Sequence, residues 1–238
     1  MSFDLNGFDR SYPVRQGDTL SQYTAKTFLW MMLGLLVTFG VAAFGYATDL
    51  TWTMYYNIPG LHWILLVATL IISVTMATRI EKLSVGTAIT LFVVFSALFG
   101  MTLSVLMYAY RMTSFILIFL LTSLYFGALA AYGYLTKTDL SRIGPLLSAG
   151  LIFLVIFGLL SLFIPGLEMF DRGVCLVGIA VFLGYTAYDT QKIKAFYVYY
   201  AGRPDMLAKA SIFSALQLYL DFLNLFLYLL RFIGNKRN

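Results

Sequence analysis

Seven apolar stretches, each close to or longer than a bilayer is thick, constrain the fold of this chain of 238 residues. A helix needs ~20 apolar residues to cross the hydrocarbon core of a membrane. Because hydrocarbon offers no hydrogen-bond partners, a spanning segment must satisfy its own backbone groups, as a helix does. The sequence therefore predicts an all-α integral membrane protein with seven spans, at residues 27–48, 61–79, 84–109, 113–135, 146–164, 173–195 and 210–233.

The composition agrees with a membrane protein and excludes several other classes. Only 11% of the residues are charged and 61% are hydrophobic, whereas a soluble domain carries about 25% charged residues. A single cysteine, Cys175, excludes an intramolecular disulfide framework. The net charge of +5 is small and spread along the chain, so we expect a lipid bilayer as the surroundings and no nucleic-acid partner.

The polar residues outside the spans predict how the chain is organised and oriented. We expect a polar cytoplasmic tail at 1–26, one seven-helix transmembrane domain at 27–234 and a short basic tail at 235–238. The loops on the N-terminal side carry more Lys and Arg than those on the other side, which predicts a cytoplasmic N-terminus. The basic C-terminal tail argues the other way, and a re-entrant sixth segment would explain it.

The last apolar stretch contains a polar stripe. Its polar residues recur at spacings of three and four, which places them on one face of a helix. They are Ser214, Gln217, Asp221, Asn224, Tyr228 and Arg231. Such a face must contact protein or water. An ionisable side chain at this depth costs at least ~3 kcal/mol on insertion scales and is a functional-site hypothesis by default, so Asp221 is the first candidate.

A second carboxylate, Asp189, lies in the sixth apolar stretch on the same face as Thr186 and Lys192. The loop to the seventh stretch is short, which predicts antiparallel neighbours whose carboxylates approach each other. Two carboxylates in a low-dielectric site resist ionising together and titrate as a unit, which predicts a proton-operated latch. The same oxygens would bind Ca²⁺ weakly and transiently, because two carboxylates are too few for a tight site. A structural role for either aspartate, as a contact between helices, remains the alternative.

Two motifs resemble the hallmark motifs of the Bax inhibitor-1 family, also called the transmembrane Bax inhibitor motif family. They are residues 188–191 (YDTQ) and 218–226 (LYLDFLNLF), with further similarity at 133–141. The resemblance covers nearly the whole apolar part of the chain and is to a bacterial member. It implies seven helices, with the C-terminal helix at the centre and the other six wrapped around it.

The resemblance also implies an activity, a pH-sensitive leak of Ca²⁺ across the bacterial inner membrane. Calcium would be the transported ion, no cofactor would be needed, and Asp189 and Asp221 would form the proton sensor and ion pathway. An arginine at the end of the second spanning helix would close the pore by pairing with them, and Arg79 is the candidate here. Glu81 would compete for Arg79, which otherwise serves as a charged residue at the membrane surface.

Other function classes are kept as alternatives or set aside. A regulatory membrane protein, modulating a membrane quality-control protease or a stress response without transport, is one alternative. A proton-coupled calcium exchanger is another. We do not expect an enzyme, because the sequence has no phosphate-binding glycine loop, zinc-protease helix or nucleophile elbow. One histidine and one cysteine also cannot assemble a nitrogen and sulfur metal site.

Overall fold

The computed structural model describes residues 18–237. Residues 1–17 of the expected N-terminal tail and Asn238 of the C-terminal tail lie outside the described residues. Within 18–237, seven helices are long and apolar enough to cross a membrane. This finding confirms the predicted all-α membrane fold.

Eight α-helices follow one another along the described chain. They are α1 (Leu20–Ala47), α2 (Leu50–Asn57), α3 (Leu61–Arg79), α4 (Val85–Ala109), α5 (Met112–Leu135), α6 (Gly144–Ser161), α7 (Asp171–Tyr199) and α8 (Pro204–Ile233). Short 3-10 turns precede α6 and α7, at Leu140–Ile143 and Leu167–Phe170. The predicted spans correspond to α1 and to α3 through α8, while α2 is a short helix in the loop after the first span.

Helices α1 and α8 begin earlier than the apolar stretches that predicted them. At α1, the Thr19 hydroxyl accepts a hydrogen bond from the Gln22 N–H (3.3 Å), and the Gln22 side chain accepts one from the Thr19 N–H (2.9 Å). This reciprocal cap satisfies the free N–H groups of a helix start. At α8, Pro204 occupies the first turn, where its missing N–H is not needed. Capping chemistry sets these two ends, whereas hydrophobicity marks only the part within the hydrocarbon.

Helix α8 lies at the centre of the bundle, as predicted. Its side chains are buried on every face, and Leu218, Tyr219, Leu223, Leu225 and Phe226 are fully inaccessible. Helices α1, α4, α5 and α7 pack directly against it. The outer helices α3 and α6 pack against α4 and α7 respectively. A charged side chain in the middle of α8, such as Asp221, is therefore surrounded by protein rather than by lipid.

The two ends of the described chain, residues 18 and 237, lie at opposite ends of the bundle. The Arg237 N–H donates to the Ala109 carbonyl (2.9 Å) and the Arg111 N–H donates to the Asn235 carbonyl (3.0 Å), so the C-terminus lies beside the α4–α5 loop. At the other end, the Tyr197 hydroxyl donates to the Asp18 carbonyl (2.9 Å). We call these ends the C-terminal face and the N-terminal face. Since α7 crosses between them completely, a re-entrant sixth segment is excluded.

Candidate functional site

Asp189 of α7 and Asp221 of α8 are both buried within the bundle. Their side chains are 7% and 4% exposed. The two helices pack against each other as antiparallel neighbours, and Asp221 lies within electrostatic reach of both Asp189 and Lys192. The structure therefore brings together the two carboxylates that the sequence singled out.

One oxygen of each carboxylate has no hydrogen-bond partner among the described residues. These atoms are Oδ1 of Asp189 and Oδ2 of Asp221, and both are inaccessible to solvent. Buried polar atoms in proteins are nearly always hydrogen-bonded, and leaving a charged one unsatisfied is costly. A proton, a water molecule or a cation would satisfy these oxygens. The pair thus has the chemistry of a site that accepts a proton or a cation.

The neighbouring hydroxyl groups on α7 do not serve the carboxylates. The Thr186 hydroxyl donates to the Phe182 carbonyl and the Thr190 hydroxyl donates to the Thr186 carbonyl, each at 2.7 Å. Such bonds to the preceding turn are the usual alternative for threonine inside a helix. The oxygens of Asp189 therefore remain available.

Apolar contacts close the site on the side of α5. Gly133 of α5 lies so close to α7 that a methyl group there would overlap the Ala187 carbonyl. Phe222, which follows Asp221, packs edge to face against Phe126 and Phe119 at ring-centroid distances of 5.5 Å. These apolar groups keep the dielectric constant low around the carboxylates, which strengthens the charge interactions inside.

Lys192 is the charged partner that the structure provides for Asp189. Its Nζ lies 4.0 Å from Asp189 Oδ1, three residues earlier on the same helix, and its side chain is 33% exposed. The ammonium also lies over the rings of Tyr188 and Phe196, at 5.7 and 5.4 Å from their centroids. The sequence analysis placed Lys192 on this face without giving it a role. The three-residue spacing of opposite charges was the signal for the contact.

Arg79 is not brought to the aspartates. It is exposed at the C-terminal end of the outer helix α3, and none of the ion pairs found among residues 18–237 includes it. Glu81 does not bind it either. The Glu81 side chain faces the Tyr200 hydroxyl (3.4 Å), and its backbone carbonyl accepts a hydrogen bond from buried Lys209 (2.9 Å). A gating role for Arg79 stays a prediction that this arrangement does not support.

The half of the polar stripe towards the C-terminal face is occupied by packing and by an ion pair. Tyr228 stacks on Phe182 with a centroid distance of 5.9 Å and covers Gly178. The Arg231 Nε lies 2.7 Å from Asp171 Oδ2. Asn224 donates to the Leu220 carbonyl of its own helix (2.8 Å). These contacts explain why Asn224, Tyr228 and Arg231 are polar, without requiring a role in transport.

The half towards the N-terminal face retains unsatisfied polar groups. The Tyr23 hydroxyl of α1 and the Ser214 hydroxyl of α8 lie within reach of each other, but neither they nor the Thr24 hydroxyl have a hydrogen bond of good geometry among the described residues. Gln217, between Ser214 and Asp221, is half-buried. Buried groups of this kind commonly hold ordered water. The polar connection from Asp221 therefore runs towards the N-terminal face.

A cavity of about 370 Å³ with several polar and charged side chains in its lining lies at the N-terminal face, and we call it the vestibule. It is lined by Thr136, Asp139, Ser141, Tyr188, Gln191, Lys192, Lys194, Ala195, Phe196, Tyr199 and Tyr200. The Gln191 side chain ties the α5–α6 loop to α7, because it accepts from the Leu140 N–H and donates to the Thr138 carbonyl, each at 2.8 Å. Both segments carry family motifs, but their spacing in the sequence does not predict this contact, which joins residues more than 50 positions apart.

No group of three or more His, Cys, Asp or Glu side chains converges on a metal-sized site within residues 18–237. Any divalent cation at the aspartate pair would therefore have two carboxylates as its charged ligands. Ca²⁺ normally takes six to eight oxygen ligands. Such a site would bind the ion weakly, and water would complete its coordination.

The comparisons with known proteins identify the family. The family model described as "Inhibitor of apoptosis-promoting Bax1" matches residues 20–238. The chain belongs to the Bax inhibitor-1 family. The match covers all seven spanning helices and both motifs, so it confirms the resemblance seen in the sequence.

Relatives of this Bax inhibitor-1 family chain occur in several bacteria. It is 39% identical to the inner membrane protein YbhL of Escherichia coli strain K12 over 235 residues, covering 98% of this chain and 100% of YbhL. It is 40% identical over 222 residues to an uncharacterized protein of Rickettsia prowazekii, with 92% of each chain covered. An uncharacterized protein of Borreliella burgdorferi is 35% identical over 225 residues, covering 92% of this chain and 94% of its own.

Proposed function

We propose that this protein is a pH-sensitive calcium leak channel of the bacterial inner membrane, gated by protonation of the Asp189–Asp221 pair. The observation that carries the proposal is the pair of buried carboxylate oxygens without hydrogen bonds, one on each of two packed helices. The inner-membrane location rests on the printed name of YbhL and on the seven spanning helices. The cytoplasmic N-terminus rests on the positive-inside rule.

The charge state of the pair would control the leak. A fully ionised pair attracts a divalent cation more strongly than a pair with one negative charge, because both carboxylates act on the ion. A pair that shares one proton keeps one negative charge and holds a cation weakly enough to release it. A neutral pair offers no charge. Conduction requires binding that is favourable but weak, so we expect the largest Ca²⁺ flux in the singly protonated state.

The surrounding groups leave this titration to the aspartates. Lys192 is the charged side chain beside the pair. Tyr188, which precedes Asp189 on α7, lies beside Lys192, and the sequence places no histidine on α7 or α8. His62, the one histidine of the chain, begins α3 beside Trp63 at the C-terminal face.

Ca²⁺ flux into liposomes containing the purified protein, measured from pH 5 to 8, tests the proposal. We expect a maximum within this range for the wild type, a loss of that pH response in Asp221→Asn and Asp189→Asn, and an unchanged response in His62→Gln. Normal flux with a normal pH response in Asp221→Asn would refute the proposal. Flux that requires an imposed proton gradient would instead indicate a proton-coupled exchanger.

A further inference from the structure

The vestibule approaches the aspartate pair but does not reach it. Its lining includes Lys192 and stops short of Asp189 among the described residues. Lys192 Nζ lies 4.0 Å from Asp189 Oδ1, and the exposed fraction falls from 33% for the lysine side chain to 7% for the aspartate. The lysine therefore stands at the boundary between the vestibule and the buried carboxylate.

The surroundings of Lys192 hold its ammonium in this position. Tyr188 and Phe196 lie one turn before and one turn after Lys192 on α7, and both rings face its ammonium. Cation–π contacts of this kind favour a charged amine over an aromatic face. The flexible stem of lysine allows the ammonium to leave without a backbone movement.

The other charged groups of the vestibule have different partners. The Lys194 ammonium donates to the Tyr134 carbonyl and lies 4.6 Å from the centre of the Tyr134 ring. Asp139 accepts hydrogen bonds from Ser141, which keeps the pKa of this exposed carboxyl below its usual range. Asp139 therefore carries a fixed negative charge that would attract cations into the cavity.

We propose that Lys192 is a tethered cationic plug, which closes the vestibule onto Asp189 and must leave before an ion from the vestibule reaches the aspartate pair. This inference rests on the proposed function for its purpose, but the closure is a property of the structure alone. An inorganic cation entering from the N-terminal face would replace the ammonium at Asp189 Oδ1. Lys192 thus pairs with Asp189 in the way that the family resemblance implied for Arg79 of α3.

A cysteine placed behind the plug tests the closure without measuring transport. Thr186 lies about one turn beyond Asp189 on α7 and is fully buried. Thr186→Cys is made in a Cys175→Ala background so that it is the sole thiol. The rate of its modification by small cationic and anionic methanethiosulfonates is measured in nanodiscs. This rate is measured in four proteins that share the same background: one with Lys192 intact, one with Lys192→Met, one with Lys192→Arg, and one with Lys194→Met as the matched control.

We expect Lys192→Met to raise the rates of both reagents by about tenfold or more, which corresponds to removing ~1.4 kcal/mol of barrier. Lys192→Arg and Lys194→Met should keep the slow rates. Unchanged rates in Lys192→Met would overturn the proposal. Faster reaction with the cationic reagent alone would also overturn it, because that pattern indicates a change of local charge without opening. Elution as a single species in size-exclusion chromatography shows that each variant is folded.

The same variants in the liposome assay separate this proposal from the calcium leak. If Lys192→Met raises both the modification rates and the Ca²⁺ flux, both proposals are supported. If the modification rates rise and no variant passes Ca²⁺, the plug is supported and the leak fails. If Ca²⁺ flux depends on the aspartates while the buried cysteine stays equally protected, the leak is supported and the plug fails.

Discussion

Gly133 of α5 lies directly against the carbonyl oxygen of Ala187 in α7, leaving no room for a methyl group between the two helices. Asp189 follows Ala187 by two residues, so this contact fixes the position of the aspartate relative to α5. Small residues permit such close approach of membrane helices. The closeness of α5 and α7 is thus part of the structure of the candidate site.

We expect Gly133→Ala to lower the stability of the detergent-solubilised protein by roughly 1–3 kcal/mol, the usual cost of overpacking. The measurement is the thermal unfolding midpoint. Gly127, on the same helix, has open space where a side chain would begin, so Gly127→Ala is the matched control and should be neutral or slightly stabilising. Equal midpoints for the two variants would show that the α5–α7 contact is looser than described.

A hydrogen-bonded chain between α1, α4 and α8 yields a second prediction. The Tyr219 hydroxyl lies 2.6 Å from Thr38 Oγ1. The Thr38 hydroxyl in turn donates to the Ser96 carbonyl (2.9 Å). Thr38→Val leaves the buried Tyr219 hydroxyl with only the Ser96 side chain within reach and should cost ~1–3 kcal/mol. Tyr219→Phe leaves Thr38 bonded to Ser96, so we expect the smaller loss of ~1 kcal/mol.

The double variant Thr38→Val with Tyr219→Phe sharpens this test, because it removes both hydroxyls. We expect it to be more stable than Thr38→Val alone, measured by the same thermal unfolding. A double variant whose loss equals the sum of the two single losses would contradict the argument, since the stranded hydroxyl would then carry no cost.

The sequence was sufficient to predict the spans and to single out the two aspartates, because hydrophobicity and helical spacing act locally, whereas the central place of the last helix was implied by the family resemblance. It was not sufficient for the partners of the pair. Lys192 was visible at a three-residue spacing from Asp189, but the neighbouring vestibule forms only when the α5–α6 loop meets α7 through Gln191. Arg79 was assigned by resemblance, and its place at the end of an outer helix depends on how α3 packs.

Asp139 yields a prediction about ionic strength. Hydrogen bonds from Ser141 lower the pKa of Asp139 in the folded protein. The ionised carboxylate therefore stabilises the turn fully above the unfolded pKa of ~3.9, and this stabilisation is lost only as the pH falls through the lower folded pKa. Its charge is therefore constant between pH 5 and 8. We expect Asp139→Asn to reduce Ca²⁺ flux roughly two- to threefold in low salt by weakening electrostatic attraction.

The salt dependence decides the origin of that effect. In the liposome assay at ~0.15 M ionic strength and above, screening over ~8 Å or less should bring Asp139→Asn close to the wild type. The pH of maximum flux should not move. A reduction that is the same at every salt concentration would assign Asp139 a structural role in the α5–α6 loop instead.

Asp221 itself is expected to weaken the fold that contains it. Its carboxylate is buried, has one oxygen without a hydrogen bond and shares its surroundings with Asp189. Asp221→Asn removes the charge at nearly constant volume, so at pH 8 and without Ca²⁺ we expect this variant to be more stable than the wild type by roughly 1–3 kcal/mol. Asp205→Asn, at the exposed first turn of the same helix, is the control and should lower stability by no more than ~1 kcal/mol.

The comparison is made by thermal unfolding in detergent, which requires no transport. A stabilised Asp221→Asn that has lost Ca²⁺ flux would show that the charge is kept for function at the expense of stability. A destabilised one would show that the ionised carboxylate is a structural contact between α7 and α8.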